Sequence, residues 1–526
     1  RSALLAAVIC SALSSHEPST ACEIPPGYNV VVAADGSSTV LPADELPELP
    51  AGTSALAFGV EPQHSVRQGY DGSISIGGPL SLGPDDSWFA YSAMMRGALI
   101  LFARVVNAPT DRCADTTEYL EKGCRVYGKG GLRVGDQTMA VRFEWVDDQS
   151  SSTQVANATA TAARGTCAHF SIGGYSSGLT KYTAQQTYYD HQVMVAPAAA
   201  TTSVYTQTMP DGNVSDLSFG VAIPAGQYHK TPIDAVVAAH AAAGLAADEL
   251  VFGFVQADAS FTKGMCTGAL EYAQTQGLNV ASVSGEPLVY TVDRVPEVDP
   301  DVAASLGDLT SAEVRAPNED VVEAVVYAAA ALKAMGVTVV VGCTYIDTTR
   351  GILKAFETMD FSPHQLLVSS SLGLDAYTNE VVDGWWQGEY VAGPTPWHPS
   401  SKRTGNWSGV SSEAFTEMYT ETFGSSVAYQ GAAAFGAAAA LCNAIETAGS
   451  LDVDAVRAAL AATDLDEFYA HIQFDANNQI DADMFVVQFK SGNSSEESES
   501  EELVGPPQVR PTTFCHNLSQ PPTTSH

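Results

Sequence analysis

The feature of this chain that most constrains its fold is an alternation of short apolar runs with longer helical patterns, which occurs twice. The first series begins with a predicted strand at 73–77 and ends with one at 193–197. A polar turn at 210–213 interrupts it, and predicted strands then continue from 217–222 to 366–369. The 526 residues also exceed the usual size of a single core. The sequence therefore predicts an α/β protein with two doubly wound lobes.

The charge balance excludes two classes of partner. The chain has 24 basic and 60 acidic residues, which give a formal net charge of -36 at pH 7. Such a surface repels the phosphate backbone of nucleic acids and the headgroups of anionic lipids. We therefore expect no nucleic-acid partner and no docking on a membrane through a basic patch.

The first ten residues and the glycosylation sequons point to the secretory pathway. One basic residue, Arg1, precedes a short apolar run at 3–10, which is typical of a secretory signal and too short to span a bilayer. A buried N-terminal helix is the alternative interpretation of this run. We expect a secreted or cell-surface glycoprotein. The sequon asparagines are Asn157, Asn213, Asn406, Asn493 and Asn517.

The nine cysteines show no paired CxxC spacing, so the sequence predicts no zinc-type metal site. Cys113 and Cys124 flank a polar loop, and a disulfide between them would fit an oxidising compartment. Cys343 and Cys442 lie in apolar runs and are predicted to be thiols in the core.

Four short strings, taken together in their order and spacing, resemble those of a known superfamily. Three of them follow predicted strands, and the fourth lies near the end of the chain. Over 73–507 the chain resembles the type I periplasmic-binding-protein superfamily, particularly branched-chain amino-acid binding proteins and the extracellular domains of related receptors. The strings are Trp145-Val146-Asp147-Asp148, Ile172-Gly173-Gly174-Tyr175-Ser176-Ser177, Ala196-Pro197-Ala198-Ala199-Ala200-Thr201 and Ile472-Gln473-Phe474-Asp475-Ala476-Asn477-Asn478-Gln479.

This resemblance implies two lobes joined by three crossovers, near Tyr205, at 390–394 and at 469–472. It also implies a ligand in the cleft between the lobes, at the carboxyl ends of the strands, where helix amino-termini face inward. Closure of the lobes would complete the site. The expected parts are a signal-peptide remnant at 1–20, an irregular leader at 21–69, a first lobe at 70–205 and 393–470, a second lobe at 206–392 and 471–513, and a flexible tail at 514–526.

The loop after the predicted strand at 169–173 is the first candidate half-site. Tyr175, Ser176 and Ser177 offer hydroxyls and free helix-start amides that suit a carboxylate. The resemblance implies that Ser176 contacts the ligand, and the alternative role of Ser176 is that of a helix N-cap. In the next loop the resemblance implies that Ala199 and Thr201 receive the ammonium and carboxylate groups of an amino acid. Ordinary turn residues are the alternative there.

In the second lobe the resemblance places Phe261 over the ligand, and Tyr345 is a candidate for the opposite wall. Aromatic rings at such positions also pack into cores. Amino-acid binders of the superfamily carry an acidic residue after the strand that corresponds to 366–369, and Asp375 is displaced from that position by several residues. Either the loop presents Asp375, or the ligand has no ammonium group. The expected ligand is therefore an amino acid, a carboxylate or an amide, and no cofactor or metal is expected.

One enzyme class has to be weighed against binding. The string from Gly174 to Gly178 fits G-x-S-x-G, the nucleophile elbow of serine hydrolases, with Asp375 and His471 as nominal triad partners of Ser176. No HGGG-like oxyanion segment precedes it, a second α/β lobe replaces a cap, and His471 lies in an apolar run. The sequence therefore predicts a binding protein and not an enzyme.

The biological role stays open between two alternatives. One is a free solute-binding protein that works with a membrane transporter. The other is the ligand-sensing ectodomain of a membrane receptor linked to a cyclase or kinase, which the sequons favour. A homodimer is compatible with either role.

Overall fold

A computed structural model describes residues 71–108, 129–283, 285–292, 323–369 and 391–490, and strands at 28–32, 38–42 and 500–503. The first two strands, β1 (Tyr28–Val32) and β2 (Ser38–Pro42), pair antiparallel with each other. The elements that follow are β3 (Gly72–Leu80), α1 (Phe89–Asn107), β4 (Leu132–Val134), β5 (Gln137–Asp147), α2 (Val155–Gly165), β6 (Phe170–Ile172), α3 (Ser177–Tyr189), β7 (Met194–Ala196) and β8 (Ser218–Gly220).

These strands form the sheet of the first lobe, in the order β4-β5-β3-β6-β7-β8. All neighbours are parallel except the β4–β5 pair. The chain thus starts in the middle of the sheet and builds outward on both sides, which puts the topological switch point between β3 and β6. Because β8 pairs with β7, this sheet ends at Gly220, whereas the sequence places the first crossing near Tyr205.

The second sheet repeats this plan. Its elements are α4 (Lys230–Ala242), β9 (Val251–Gln256), α5 (Ser260–Thr275), β10 (Asn279–Val280), β11 (Ser282–Val283), β12 (Glu286–Pro287), β13 (Val289–Thr291), α6 (Glu323–Ala334), β14 (Val339–Cys343), α7 (Ile346–Thr358), β15 (Gln365–Val368) and β16 (Ala392–Thr395). Both β10 and β13 lie beside β9, and β14, β15 and β16 follow on the other side, all in parallel. The switch point of this sheet therefore lies between β9 and β14.

After β16 the chain returns to the first lobe and then crosses once more. The remaining elements are α8 (Ser412–Phe423), α9 (Tyr429–Ala448), α10 (Val453–Ala461), β17 (Asp464–Asp466), β18 (His471–Gln473), β19 (Phe485–Lys490) and β20 (Ser500–Leu503). The helix α9 packs against α1. In the second sheet β19 pairs antiparallel with β16, and β20 pairs antiparallel with β19. The predicted fold, two doubly wound lobes with three crossings, is confirmed. The lobe boundaries stay predictions.

The core of the first lobe is built around α1 and α9. The helix α9 is rich in Ala and buried over most of its surface, as expected for a helix that is apolar all round. By length and composition α1 is the one described helix that could cross a membrane. Most of its apolar stretch is buried against α9 and the strand β5, so it serves here as a core helix.

The cysteines differ in part from their predicted states. Cys343, at the end of β14, forms a disulfide with Cys266 in α5, so its prediction as a core thiol is wrong. Both residues are fully buried, and burial in an apolar run does not distinguish a thiol from a half-cystine. Cys442 is a buried free thiol, as predicted. Cys113 and Cys124 lie outside the described residues.

Candidate functional site

The loops that follow the switch-point strands of both sheets meet at one cleft. Ligands of doubly wound folds bind outside the carboxyl ends of the strands at this topological position. The cleft has a volume of about 240 Å³, which includes the part open to solvent. The described residues that line it are Tyr175, Ser176, Ser177, Ala198, Ala200, Tyr228, Phe261, Tyr345 and Tyr429.

The loop after β6 lies against neighbouring strands because it begins with two glycines. A Cβ atom on Gly173 would lie 2.9 Å from that of Ala196. A Cβ atom on Gly174 would lie 2.8 Å from the carbonyl oxygen of Pro79. Any larger residue at either position would push the loop, and the serines that follow it, away from the sheet.

The two serines of this loop have different partners. Ser176 has a φ of 74°, and its Oγ accepts a hydrogen bond from the amide of Leu179 at 3.2 Å. The N-cap role weighed from the sequence is therefore present, on a residue that also lines the cleft. Ser177 Oγ accepts a hydrogen bond from the amide of Thr201 at 3.1 Å, which ties α3 to the loop after β7.

In the loop after β7 the cleft is lined by Ala198 and Ala200, not by the predicted Ala199 and Thr201. Ala199 is fully buried, and its carbonyl oxygen accepts the hydroxyl of Tyr205 at 2.6 Å. The amide of Thr201 is directed at Ser177 instead. The loop thus presents alternate residues to the cleft, and the predicted pair is offset by one position.

The wall from the second lobe is aromatic. Phe261 is the second residue of α5, and Tyr345 immediately precedes α7. Their ring centroids are 5.9 Å apart. Tyr228, which the sequence did not single out, meets Phe261 edge to face at 5.2 Å. The Cys266–Cys343 disulfide joins α5, which carries Phe261, to the end of β14, just before Tyr345.

Further aromatic residues from the first lobe complete the cleft and were missed by sequence reasoning. Tyr429, the first residue of α9, lines it directly. Tyr91 stacks on Tyr175 with a centroid distance of 4.3 Å. Trp88, in the loop after β3, lies 5.2 Å from Tyr345 and so connects the lobes. Its place in the loop at the switch point is the signal that could have identified Trp88.

Burial keeps the tyrosine hydroxyls of the cleft neutral. It raises the pKa of Tyr175 and of Tyr228 well above the ordinary value, and neighbouring tyrosines add to this. The pKa of Tyr345 is raised for the same reason. These groups therefore act as uncharged hydrogen-bond donors over the physiological pH range.

Four helix amino-termini converge on the cleft. Ser176 and Ser177 start α3, Phe261 lies in the first turn of α5, Tyr345 precedes α7, and Tyr429 starts α9. The N-cap residues of α7 and α9, Tyr345 and Ala428, make no side-chain capping hydrogen bond. The first-turn amides of a helix and the positive end of its dipole favour an anion at such a place.

None of the nine described lining residues carries a charge. Asp375, the predicted partner of an ammonium group, lies outside the described residues. Within the described part of the chain, no cluster of three or more His, Cys, Asp or Glu side chains could hold a metal ion. The electrostatic character of the described cleft therefore comes from backbone dipoles and hydroxyls.

One buried carboxyl lies behind the cleft. Asp148 follows β5 and is fully buried, and one of its oxygens accepts the Ser81 hydroxyl at 2.7 Å and the Ser150 amide at 2.9 Å. Its other oxygen is 3.5 Å from where a Cβ on Gly174 would be. Burial raises the pKa of Asp148 to about 6. This carboxyl therefore changes charge near neutral pH, next to the loop after β6.

The fold is similar to that of known proteins. A family model described as periplasmic binding protein matches residues 297–494. A leucine-binding protein from Thermotoga maritima is 17% identical with a TM-score of 0.54, over 81% of this chain and 98% of that one. A branched-chain amino-acid transporter substrate-binding protein from Streptococcus pneumoniae, in complex with isoleucine, is 13% identical with a TM-score of 0.54. The match covers 82% of this chain and 100% of that one. A solute-binding protein of an ABC transporter from R. palustris, in complex with benzoate, is 13% identical with a TM-score of 0.53. The match covers 82% of this chain and 97% of that one.

The fold and the cleft at the switch points thus define a two-lobed α/β protein with a cleft at the carboxyl ends of its strands. More particularly, this chain has the type I periplasmic-binding-protein fold, and the resemblance to that superfamily is confirmed. At these low identities the solved structures establish the fold alone.

The hydrolase alternative gains no support from the geometry. No hydrogen bond joins Ser176 to His471; Ser176 Oγ accepts the amide of Leu179 instead. His471 Nδ1 lies 2.7 Å from a carboxylate oxygen of Asp466 on the same hairpin. The matched family and the similar structures are solute-binding proteins.

Proposed function

We propose that the protein binds a small carboxylate in the cleft between its lobes and does no chemistry on it. The observation that carries this proposal is the convergence of four helix amino-termini on a cleft whose described lining has no charged residue. Helix-start amides there and the hydroxyl of Ser176 are suited to the two oxygens of a carboxylate. The surrounding rings limit the access of water, which strengthens such hydrogen bonds.

The lining favours a ligand whose body is a flat ring. Five of the nine described lining residues are aromatic, and aromatic rings prefer offset-stacked and edge-to-face contacts with other rings. An amino acid would bring an ammonium group, for which the described lining offers no carboxylate. We therefore put an aromatic carboxylate first. An α-amino acid held through Asp375 is the second candidate, in keeping with the leucine-binding and isoleucine-bound similar structures.

A thermal-shift comparison of three compounds tests both steps of this proposal. Benzoate and benzyl alcohol share a ring and differ in charge, while L-leucine has both a carboxylate and an ammonium group. Benzoate is expected to raise the melting temperature in proportion to the logarithm of its concentration, and benzyl alcohol is expected to have no effect. A shift with L-leucine alone would favour the amino acid. If neither benzoate nor L-leucine raised the melting temperature, the carboxylate proposal would be contradicted.

We further propose that the protein works outside the cell. A buried disulfide, Cys266–Cys343, suits an oxidising compartment. Of the five sequon asparagines, Asn157, Asn213 and Asn406 lie on the surface of the described structure, where a glycan can be attached. Treatment of the natural protein with a peptide N-glycosidase is expected to lower its mass. An unchanged mass would contradict glycosylation at these sites.

As the context we propose delivery of the ligand to a membrane transporter, as in ABC transporter relatives of the same fold. A receptor ectodomain is the second candidate, and the surface sequons are the observation in its favour. The two roles differ in the gene: a receptor carries a membrane span and a signalling domain in the same polypeptide. Reading the complete gene would separate them.

A further inference from the structure

One fully buried polar side chain, Gln479, lies where the third crossing meets the first. Its Nε2 donates to the carbonyl oxygens of Ala200 at 3.1 Å and Ala222 at 2.9 Å. Its Oε1 accepts the hydroxyl of Thr202 at 2.9 Å. Because carbonyl oxygens only accept, these partners fix the orientation of the amide and use both of its donor hydrogens.

The partners of Gln479 belong to two different parts of the molecule. Ala200 lines the cleft and Thr202 follows two residues later, both in the segment 198–202, which we call the ligand loop. Ala222 lies just past β8, where the chain leaves the first lobe. Gln479 thus joins segments that are more than 250 residues away from it in sequence.

Backbone hydrogen bonds hold the two crossings side by side at the same place. The amide of Gly220 donates to the carbonyl of Asn478 at 2.8 Å, and the amide of Ile480 donates to the carbonyl of Gly220 at 3.1 Å. We call residues 220–222 and 478–480 the hinge. Gln479 is the residue of the hinge whose side chain reaches the ligand loop.

The carbonyl of Ala200 also connects the two walls of the cleft. Besides Gln479 it accepts the amide of Ala225 at 2.8 Å. Ala225 starts the turn that leads to Tyr228 in the wall of the second lobe. In the first lobe, the amide of Thr201 donates a hydrogen bond to the hydroxyl oxygen of Ser177 at the start of α3. A continuous set of hydrogen bonds therefore runs from α3 through the ligand loop to the second lobe, with Gln479 at its centre.

We propose that Gln479 is a positioning residue that couples the ligand loop to the hinge. It does not line the cleft; it sets the direction of the Ala200 carbonyl and so the shape of the loop that lines the cleft. Loss of its amide would leave two buried carbonyl oxygens with one donor fewer each, which a folded protein tolerates poorly. The proposal rests on the proposed function only in identifying the cleft as the ligand site.

Hydrogen exchange of the ligand-free protein, followed by mass spectrometry, tests the coupling without any ligand. The main variant is Gln479→Leu, which keeps the size of the side chain and removes its hydrogen bonds. Thr202→Val is a milder variant that removes only the bond to Oε1. The matched control is Gln227→Leu. Gln227 also joins the turn after the first crossing to the third, through Asp481 at 3.3 Å, and does not touch the ligand loop.

In Gln479→Leu, peptides that span 198–206 and 222–228 are expected to exchange roughly tenfold faster, while peptides of β9 and α5 stay unchanged. Thr202→Val is expected to show a smaller change in the same peptides, and Gln227→Leu none in 198–206. An equal increase throughout the protein would mean a merely structural role and would overturn the proposal. No increase in 198–206 in either variant would overturn it as well.

Titration with benzoate then measures the consequence for binding. The dissociation constant of folded Gln479→Leu is expected to rise roughly tenfold, with that of Gln227→Leu unchanged. An unchanged constant in Gln479→Leu would contradict the coupling. If the wild-type protein itself does not bind benzoate, the benzoate assignment fails, and the exchange result still decides the role of Gln479.

Discussion

Tyr345 makes more connections across the cleft than its position in the sequence suggests. Its ring lies 5.2 Å from that of Trp88 in the first lobe and 5.9 Å from that of Phe261 in its own lobe. It is also the N-cap residue of α7, and its own side chain makes no capping hydrogen bond there. The same residue thus contributes an aromatic wall, an interlobe contact and the start of a helix dipole aimed at the ligand.

Replacement of this ring should weaken binding more than loss of its hydroxyl. Tyr345→Ala is expected to raise the dissociation constant for benzoate roughly 10- to 100-fold, because a buried aromatic contact is lost. Tyr345→Phe keeps the ring, so its dissociation constant for benzoate should rise less than that of Tyr345→Ala. Calorimetric titration measures both, with Tyr189→Ala as control, since Tyr189 is 55% exposed at the far end of α3. Equal affinity in Tyr345→Ala and wild type would show that the ligand does not contact this wall.

Asp148 makes stability depend on pH. Its folded pKa of about 6 is higher than the ordinary 3.8 because burial disfavours the charged form. The folded protein therefore binds this proton more tightly than the unfolded chain does. As a consequence, the free energy of unfolding falls as pH rises above about 4, and the loss is complete above about 6. Asp148→Asn keeps an oxygen to accept the bonds from Ser81 and Ser150 and removes the charge.

We expect Asp148→Asn to be more stable than wild type at pH 8, by roughly 2–3 kcal/mol, and close to it at pH 4. Urea unfolding at the two pH values measures the difference. The same difference at both pH values would mean that the effect comes from packing and not from the buried charge.

At the level of elements, two glycines near the start of α3 are expected to respond in opposite ways to replacement by Ala. Gly174 lies where an added Cβ would meet the Pro79 carbonyl at 2.8 Å, whereas a Cβ on Gly178 would meet nothing closer than Ser176 Oγ at 3.8 Å. Gly178 is an exposed residue in the first turn of the helix. Replacement by Ala adds the same methyl group at both positions, so any difference between the two variants comes from the surroundings of each glycine.

Gly174→Ala is expected to lower the melting temperature and weaken benzoate binding, because the loop must move away from β3 to admit the methyl group. Gly178→Ala is expected to stabilise the protein by about 0.5–1 kcal/mol and leave binding unchanged, since Ala favours the helix. Thermal unfolding and calorimetric titration test both. A Gly174→Ala protein that matches wild type in both measurements would contradict the described packing of the loop.

The disulfide joins α5, which carries Phe261, to the end of β14, just before Tyr345. Cys266 and Cys343 are 77 residues apart, so their bond restricts a long loop in the unfolded chain. Replacement of both by Ala is expected to lower the free energy of unfolding by about 2–4 kcal/mol. Cys442→Ala controls for the loss of sulfur packing alone, because Cys442 is a buried free thiol. Guanidinium unfolding that shows equal losses in the two proteins would mean that the bond itself contributes nothing.

For the molecule as a whole, the fold was predictable because its signal is local and repeated. Each strand is a short apolar run followed by a helical pattern, and the order of these runs determines two doubly wound sheets. The first crossing was harder to place. The apolar run at 217–222 fits equally well the last strand of one sheet or the first strand of the next, and only its pairing with β7 decides.

The site was predictable only in the loops and helix starts that come after a strand. Tyr175, Ser176, Ser177, Phe261 and Tyr345 occupy such positions, and the described cleft brings them together. Its other aromatic residues, such as Tyr228 and Tyr429, reach the cleft through crossings and a returning helix, which no local pattern reveals. The register of the loop after β7 and the Cys266–Cys343 pairing depend on contacts between distant segments.

A crystal structure of the protein grown with benzoate would show whether a carboxylate ligand occupies the cleft. Benzoate is expected between the lobes, with its carboxylate within hydrogen-bond distance of the amides at Ser176 and Ser177 and its ring against Phe261 and Tyr345. A cleft without benzoate, at a concentration that saturates the protein in solution, would contradict this expectation. So would a carboxylate that points away from the helix amino-termini.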